Sequence, residues 1–225
     1  MKRNTRMVVI PGLRQRYMDL VRENLRHFGG WTCRAYSAET LTQWPPQCDV
    51  EIHRGWKWAS MLNLTQLGFH THILVLLDDV RIPLNFCMSC FLRDSYGTSV
   101  TSPIVLNATW PTTRGSRCQS TRCNTNFIET YMKLFTLPAL HCYFTMFDWS
   151  VLRDNTQAVG WGYDRCFKAA CPRFKQRLFR SYQIEHVATS GGLGYLAHIA
   201  YPQSIRLQAW TRSRFNRPCL KLGSV

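Results

Sequence analysis

Thr71-His-Ile-Leu-Val-Leu-Leu-Asp-Asp79 is the stretch on which the fold turns. Its unbroken aliphatic run, Ile73 to Leu77, predicts a strand buried on both faces, and the strand stops abruptly at two acids. Upstream, Met7-Val-Val-Ile10 repeats the pattern and ends at Pro11-Gly12. Tyr17, Leu20, Val21, Leu25 and Phe28 then recur at helical spacing before Gly29-Gly30. Trp31 to Tyr36 suits a second strand, Pro45-Pro46 marks a loop, and a helix is predicted from Gly55 to Leu67, stopped by Gly68. This β-α-β-α-β alternation predicts an α/β fold: a single domain with a mainly parallel central sheet and helices on both faces. In such sheets ligands bind beyond the carboxyl ends of the strands, where Asp78 and Asp79 fall.

The second half is less regular. Ser99 to Leu106 predicts a strand, and Thr109 to Asn126 a polar loop containing Cys and Arg. Phe127 to Leu137 is mixed, and a helix is expected near Pro138 to Leu152. Gly160-Trp-Gly-Tyr-Asp164 is a turn opening a helix over Arg165 to Ala170, and Ile184-Glu185-His186 closes a last strand. No internal repeat or linker separates two folding units. The expected organisation is one domain over residues 1–200 and a basic tail over 201–225.

Composition narrows the class. The 225 residues are 45% hydrophobic and 18% charged, which excludes disordered, collagen-like and coiled-coil chains. The run Ile73 to Leu77 is far too short to span a bilayer, and no transmembrane segment is expected. The N-terminus is basic at Lys2, Arg3 and Arg6, but Pro11, Arg14 and Arg16 interrupt any hydrophobic leader. Lys plus Arg number 28 against 13 Asp plus Glu, for a net charge of +15, so a polyanionic partner has to be considered. The basic residues are scattered, thickening at Arg173 to Arg180 and Arg206 to Arg217, which argues against a dedicated nucleic-acid arm.

Ten cysteines are many for this length, though fewer than in a small disulfide scaffold. Cys87-x2-Cys90 is the one CxxC, and no His pair at finger spacing follows it, so zinc is disfavoured. Buried thiols with one or two disulfides are expected, with Cys118–Cys123 the preferred pair. Asn63-Leu-Thr and Asn107-Ala-Thr are glycosylation sequons, which matter only in a secretory compartment.

Three features carry chemistry. Adjacent acids after a buried strand repel one another unless a cation sits between them, so Asp78-Asp79 points to a divalent ion or, alternatively, to a turn. The glycines around Trp161 permit close backbone approach and leave an indole face for stacking. Asp164 is a helix N-cap or a general base aimed into a cleft. His186 is a lone imidazole or a metal ligand.

In this order, the acid pair, the Gly-Trp-Gly-x-Asp turn and the late His resemble nucleotide-sugar-dependent glycosyltransferases of the A-type, Rossmann-like fold. More narrowly, the chain resembles a eukaryotic, largely plant family labelled "lysine ketoglutarate reductase trans-splicing related", whose function is unassigned. That resemblance runs from Val8 to about Gly194. It includes Val9-Ile-Pro-Gly-Leu-Arg-Gln-Arg16, Trp56-Lys-Trp58, Cys118 to Cys123 ahead of Phe127-Ile-Glu129, and the Gly160 turn. It implies Asp79 and His186 as ligands of Mn²⁺ or Mg²⁺, with Asp78 facing nucleotide or ribose. Asp164 takes the place of the base that deprotonates an acceptor hydroxyl in inverting enzymes. Trp161 and Gly162 would lie against the acceptor, while Glu129 would orient it or pair with Lys133 one helical turn on. Arg14, Arg16 and Arg81 are the basic candidates for the diphosphate, or are solvated surface charges. The family pattern is Asp-x-Asp, and here Leu77 replaces the first acid.

The expected function is therefore metal-dependent sugar transfer from a nucleotide-sugar donor to a glycan or other hydroxyl acceptor, with inversion. The resemblance implies the Golgi or endomembrane lumen. The alternatives are a catalytically silent protein that binds nucleotide sugar or glycan, and a basic nucleic-acid-binding protein.

Overall fold

The computed structural model describes residues 5–37, 39–52, 70–107, 117–119, 121–125, 128, 131–144, 163–187 and 197–220. The helix expected over Gly55 to Leu67 falls outside them, as do Asn63, Glu129, Trp161 and Gly162.

Among the described residues, one sheet of ten strands organises the fold. The strands are β1 (Thr5–Pro11), β2 (Thr32–Ser37), β3 (Cys48–Ile52), β4 (His70–Leu76), β5 (Val80–Arg81), β6 (Val100–Leu106), β7 (Arg117–Gln119), β8 (Arg122–Thr125), β9 (Met132–Thr136) and β10 (Gln176–His186). Their order is β3-β2-β1-β4-β9-β6-β10-β8-β7, with β5 paired to β10. The run β3-β2-β1-β4 is parallel throughout, and β6 and β10 are parallel to each other. Antiparallel β9 lies between β4 and β6 and joins the two halves.

Helices cover both faces, because successive side chains of a central strand point to opposite sides and both sides are apolar. On one face Met7, Val9, Ile73, Val75 and Phe135 pack against α3 (Leu137–Phe144), α4 (Tyr163–Ala170) and α5 (Ala197–Phe215). On the other, Val8, Ile10, Leu74, Leu76 and Met132 meet α1 (Met18–Leu25) and α2 (Met88–Asp94).

Several elements differ from the sequence expectation. Cys48–Ile52 is an edge strand, partly exposed and carrying Asp49 and Glu51, so it lacks an apolar alternation. Part of the expected loop over Thr109 to Asn126 is the β7–β8 hairpin, whose facing residues Cys118 and Cys123 are joined by a disulfide. The mixed segment after Phe127 contains β9. Lys133 thus sits on a strand, where the helical spacing that would bring Glu129 beneath it does not apply. The weakly patterned residues after Ala197 form α5, and Cys219 beyond it is bonded to Cys166 of α4. All ten cysteines are paired, in five disulfides rather than one or two; the others are Cys33–Cys48, Cys87–Cys90 and Cys142–Cys171.

Fully buried Asn24 on α1 fixes the chain just past the acid pair. Its Nδ2 donates to the Val80 carbonyl at 2.6 Å, and its Oδ1 accepts from the Ile82 amide at 2.9 Å. Asn24→Ala would leave both backbone groups buried without partners, at about 1–3 kcal/mol each. Urea unfolding should show Asn24→Ala less stable by at least about 2 kcal/mol. A loss below about 0.5 kcal/mol, the range of an ordinary surface change, would contradict this.

Candidate active site

The site forms where β1 and β4 end side by side. Val9 pairs with Val75, so Arg14, five residues further on, arrives opposite Asp78 and Asp79, three and four residues further on. Gly12, with a left-handed φ of +78°, makes the turn that brings the chain back over the sheet end. The Leu13 amide then donates to the Tyr36 carbonyl at 2.7 Å, pinning the loop to β2.

Arg14 grips both acids. Its backbone amide and Nε donate to Asp78 Oδ2 at 2.8 and 2.9 Å, and Nη2 donates to Asp78 Oδ1 and, at 2.7 Å, to Asp79 Oδ2. The guanidinium also lies 4.6 Å from the Tyr17 ring centroid. Asp78 is 1% exposed. The structure therefore turns Asp78 toward Arg14, not toward an open cleft, and engages the guanidinium that the sequence assigns to the diphosphate.

Asp79 reaches a second partner. Its Oδ2 is 3.5 Å from His186 Nε2, and its carbonyl accepts from the Val187 amide at 2.9 Å. His186 stands opposite Val80 at the end of β10. Its Nδ1 faces the Asn107 carbonyl at 3.4 Å, and its ring lies 4.7 Å from that of Tyr131. With Nδ1 turned to a carbonyl, Nε2 is the nitrogen directed at Asp79, the orientation common in metal-binding imidazoles. Asp79 Oδ1 is buried and has no hydrogen-bond partner among the described residues.

This donor set fits a hard or borderline divalent ion. Two ligand atoms at roughly 2.0–2.5 Å from one ion lie no more than about 5 Å apart, and 3.5 Å satisfies that. Carboxylate favours Mg²⁺, Ca²⁺ or Mn²⁺ and imidazole favours borderline ions such as Zn²⁺, so the pair by itself does not select one ion. Among the described residues no group of three or more His, Cys, Asp or Glu side chains gathers at one point. Asp79 and His186 would thus supply two ligands.

Asp164 lies on the neighbouring face. On α4 it is paired with Lys133 Nζ, and it also accepts a 3.4 Å contact from Tyr143 Oη. Lys133 is 2% exposed, on β9 opposite Val75. Tyr131, two residues before Lys133, touches His186, and its carbonyl accepts from the Leu77 amide. Two residues of chain span at most about 7 Å, so the partners of Asp164 and His186 are near neighbours.

The other basic candidates sit at the rim. Arg16 is exposed, with its guanidinium 4.9 Å from the Tyr17 centroid. Arg81 is 54% exposed and paired with Glu185 at 3.0 Å. Sequence reasoning missed Tyr131, Tyr143 and Lys133 as parts of this region. The last carries a signal of its own, a single cation within the apolar run Met132-Lys-Leu-Phe135.

Burial pushes the Asp78 carboxyl up to about 6, against the opposing hydrogen bonds and charge of Arg14. At Asp79 burial also acts upward, but hydrogen bonds from His186 and Arg14 outweigh it and hold the carboxyl below its ordinary range. The two acids have opposite signs in their linkage to folding. The stability due to Asp78 falls as pH rises between about 4 and about 6, where the unfolded chain has released a proton that the folded chain keeps. The stability due to Asp79 is present above its ordinary value and is lost at lower pH. Unfolding midpoints across pH 4–7 should therefore lose part of their fall with rising pH in Asp78→Asn. An unchanged pH profile would contradict the assignment.

No protein-family model matches the chain, and no curated protein sequence is recognisably similar to it. Similarity appears at the level of structure. GalNAc-T7, solved with UDP, GalNAc and Mn²⁺, superposes with a TM-score of 0.55 at 9% identity, over 91% of this chain and 47% of that one. The chain thus spans about half the length of that enzyme structure. UDP-glucose pyrophosphorylase, solved with UDP-glucose, superposes with a TM-score of 0.51 at 9% identity, over 93% of this chain and all of the other. The chain shares its mixed α/β fold with these two structures.

Proposed function

We propose that this protein transfers a sugar from a nucleotide-sugar donor to a hydroxyl acceptor with the help of a divalent cation, and that it is a member of the plant-type family it resembles. The observation that carries the reading is the meeting of Asp79 and His186 beyond the end of β4, with Asp79 Oδ1 buried and unpartnered. The fold supports it, as does the ligation of UDP and Mn²⁺ in one structural neighbour.

Asp79 and His186 would hold Mn²⁺ or Mg²⁺, and such an ion, when bound, would supply positive charge to a departing diphosphate. Arg14 keeps Asp78 and Asp79 in one orientation and adds a positive charge beside them. Arg16, exposed on the same loop, is the freer cation for a phosphate. Arg81 reaches the donor only by giving up Glu185. The acceptor hydroxyl forms its bond to the anomeric carbon as the bond from that carbon to the diphosphate breaks, the electron pair leaving with the diphosphate. Asp164 takes the hydroxyl proton, and attack from the side opposite the leaving group inverts the centre. Lys133 and Tyr143 hold the Asp164 carboxylate in place. The family resemblance assigns acceptor contacts to Trp161, Gly162 and Glu129, which lie outside the described residues.

A second reading, binding without turnover, is favoured by one observation: Lys133 and Tyr143 already occupy the Asp164 carboxylate that would have to accept the proton.

Thermal melting with Mn²⁺ and UDP or GDP separates the possibilities. The midpoint should rise with metal and nucleotide together, and Asp79→Asn and His186→Ala should lose the metal-dependent part. Asp164→Asn should keep that shift and lose transfer of a labelled sugar by at least about 100-fold, the scale of a general base. Full turnover in Asp164→Asn would remove it as the base. Binding without transfer in the unmodified chain would establish the second reading. A chain that ignores metal and nucleotide but binds single or double strands with steep salt dependence would be a nucleic-acid protein.

A further inference from the structure

We propose that Asn107 carries an N-linked glycan. Four observations converge on this residue. Asn107 opens the sequon Asn107-Ala-Thr. It is exposed in the turn immediately after β6, where its φ of 59° places it in the left-handed region that Asn tolerates. All ten cysteines are joined in disulfides, the state of a chain that folds in an oxidising lumen, where glycans are also added to sequons.

The fourth observation concerns direction. Glu185 and His186 are consecutive on β10 and point to opposite faces of the sheet. The Asn107 carbonyl lies toward His186, whereas its side-chain Nδ2 donates to Glu185 Oε1 at 3.4 Å. A sugar on Nδ2 therefore leaves on the Glu185 side, beside the Arg81–Glu185 pair, rather than on the His186 side. Glycosylation replaces one of the two amide hydrogens and leaves the other to donate to Glu185, so the turn need not be rebuilt.

The step is an ordinary transfer. Asn107 Nδ2 bonds to the anomeric carbon of a lipid-linked oligosaccharide, and the bond from that carbon to the lipid diphosphate breaks. The diphosphate leaves with the electron pair, and one amide proton passes to the base of the transferring enzyme.

The test uses the full chain recovered from the secretory pathway of a eukaryotic cell. Its peptides are mapped by mass before and after peptide N-glycosidase F, beside Asn107→Gln, Thr109→Ala and Asn63→Gln. The glycosidase should convert Asn107 to Asp. Asn107→Gln and Thr109→Ala should each lose one glycan that Asn63→Gln retains. Thr109→Ala keeps Asn107 itself, so it decides the matter if the Gln variant misfolds. An unmodified Asn107 in a chain with all its disulfides formed would overturn the proposal. An unmodified Asn107 in a chain recovered with free thiols would overturn it equally, by removing the lumen. Neither result bears on metal or nucleotide binding, so this inference and the sugar-transfer reading fail separately.

Discussion

Two adjacent carboxylates cannot both be buried and charged at the end of a strand without a cation to hold them. Arg14 is that cation. It approaches from β1, the strand beside β4, and takes Asp78 through both its backbone amide and its guanidinium while lending one hydrogen bond to Asp79. The register of a parallel pair sets this meeting, so the same geometry that closes the sheet also builds the site. One consequence is a division of labour between the acids: Asp78 is consumed in structure, and Asp79 keeps an oxygen that no described residue satisfies. Leu77 stands where the resembling family has its first acid, so in the proposed reading Asp79 and His186 are the residues that would hold a cation.

Much of this was legible in the sequence. β1 and β4 carry aliphatic runs closed by Pro11-Gly12 and by Asp78-Asp79, because a strand buried on both faces must be apolar at consecutive positions, while β2 and β6 mix apolar with polar residues and still fall where strands are expected. The placement of Asp79 beyond β4 follows from the same pattern. β3, β7 and β8 were not legible, since β3 and β7 are short edge strands, β8 is the short strand beside β7, and all three carry polar residues such as Asp49, Arg117 and Arg122. β9 was hidden by Lys133, which breaks the apolar run and finds its partner, Asp164, thirty-one residues away. No local pattern encodes a partner at that distance. The grip of Arg14 on Asp78, across sixty-four residues, was equally out of reach, and so its guanidinium was assigned to a ligand.

Two disulfides tie the margins of the sheet, and two link the helices packed on one of its faces. Cys33–Cys48 ties edge strand β3 to β2, and Cys118–Cys123 closes the outermost hairpin. Cys142–Cys171 and Cys166–Cys219 join α3, α4 and the end of α5 over one face of the sheet. Cross-links of this kind limit the unfolded chain more as the loop they close lengthens. The 53-residue span of Cys166–Cys219 is the longest of the five, and it secures the last helix to the face that carries Asp164.

Pulsed electron paramagnetic resonance on the Mn²⁺-loaded protein tests the central claim most directly. The account predicts an electron–nuclear coupling from one imidazole nitrogen to the bound ion, with and without nucleoside diphosphate, that disappears when His186 is replaced. Tightly bound Mn²⁺ with no imidazole coupling, or with a coupling that survives loss of His186, would place the ion elsewhere and contradict the account.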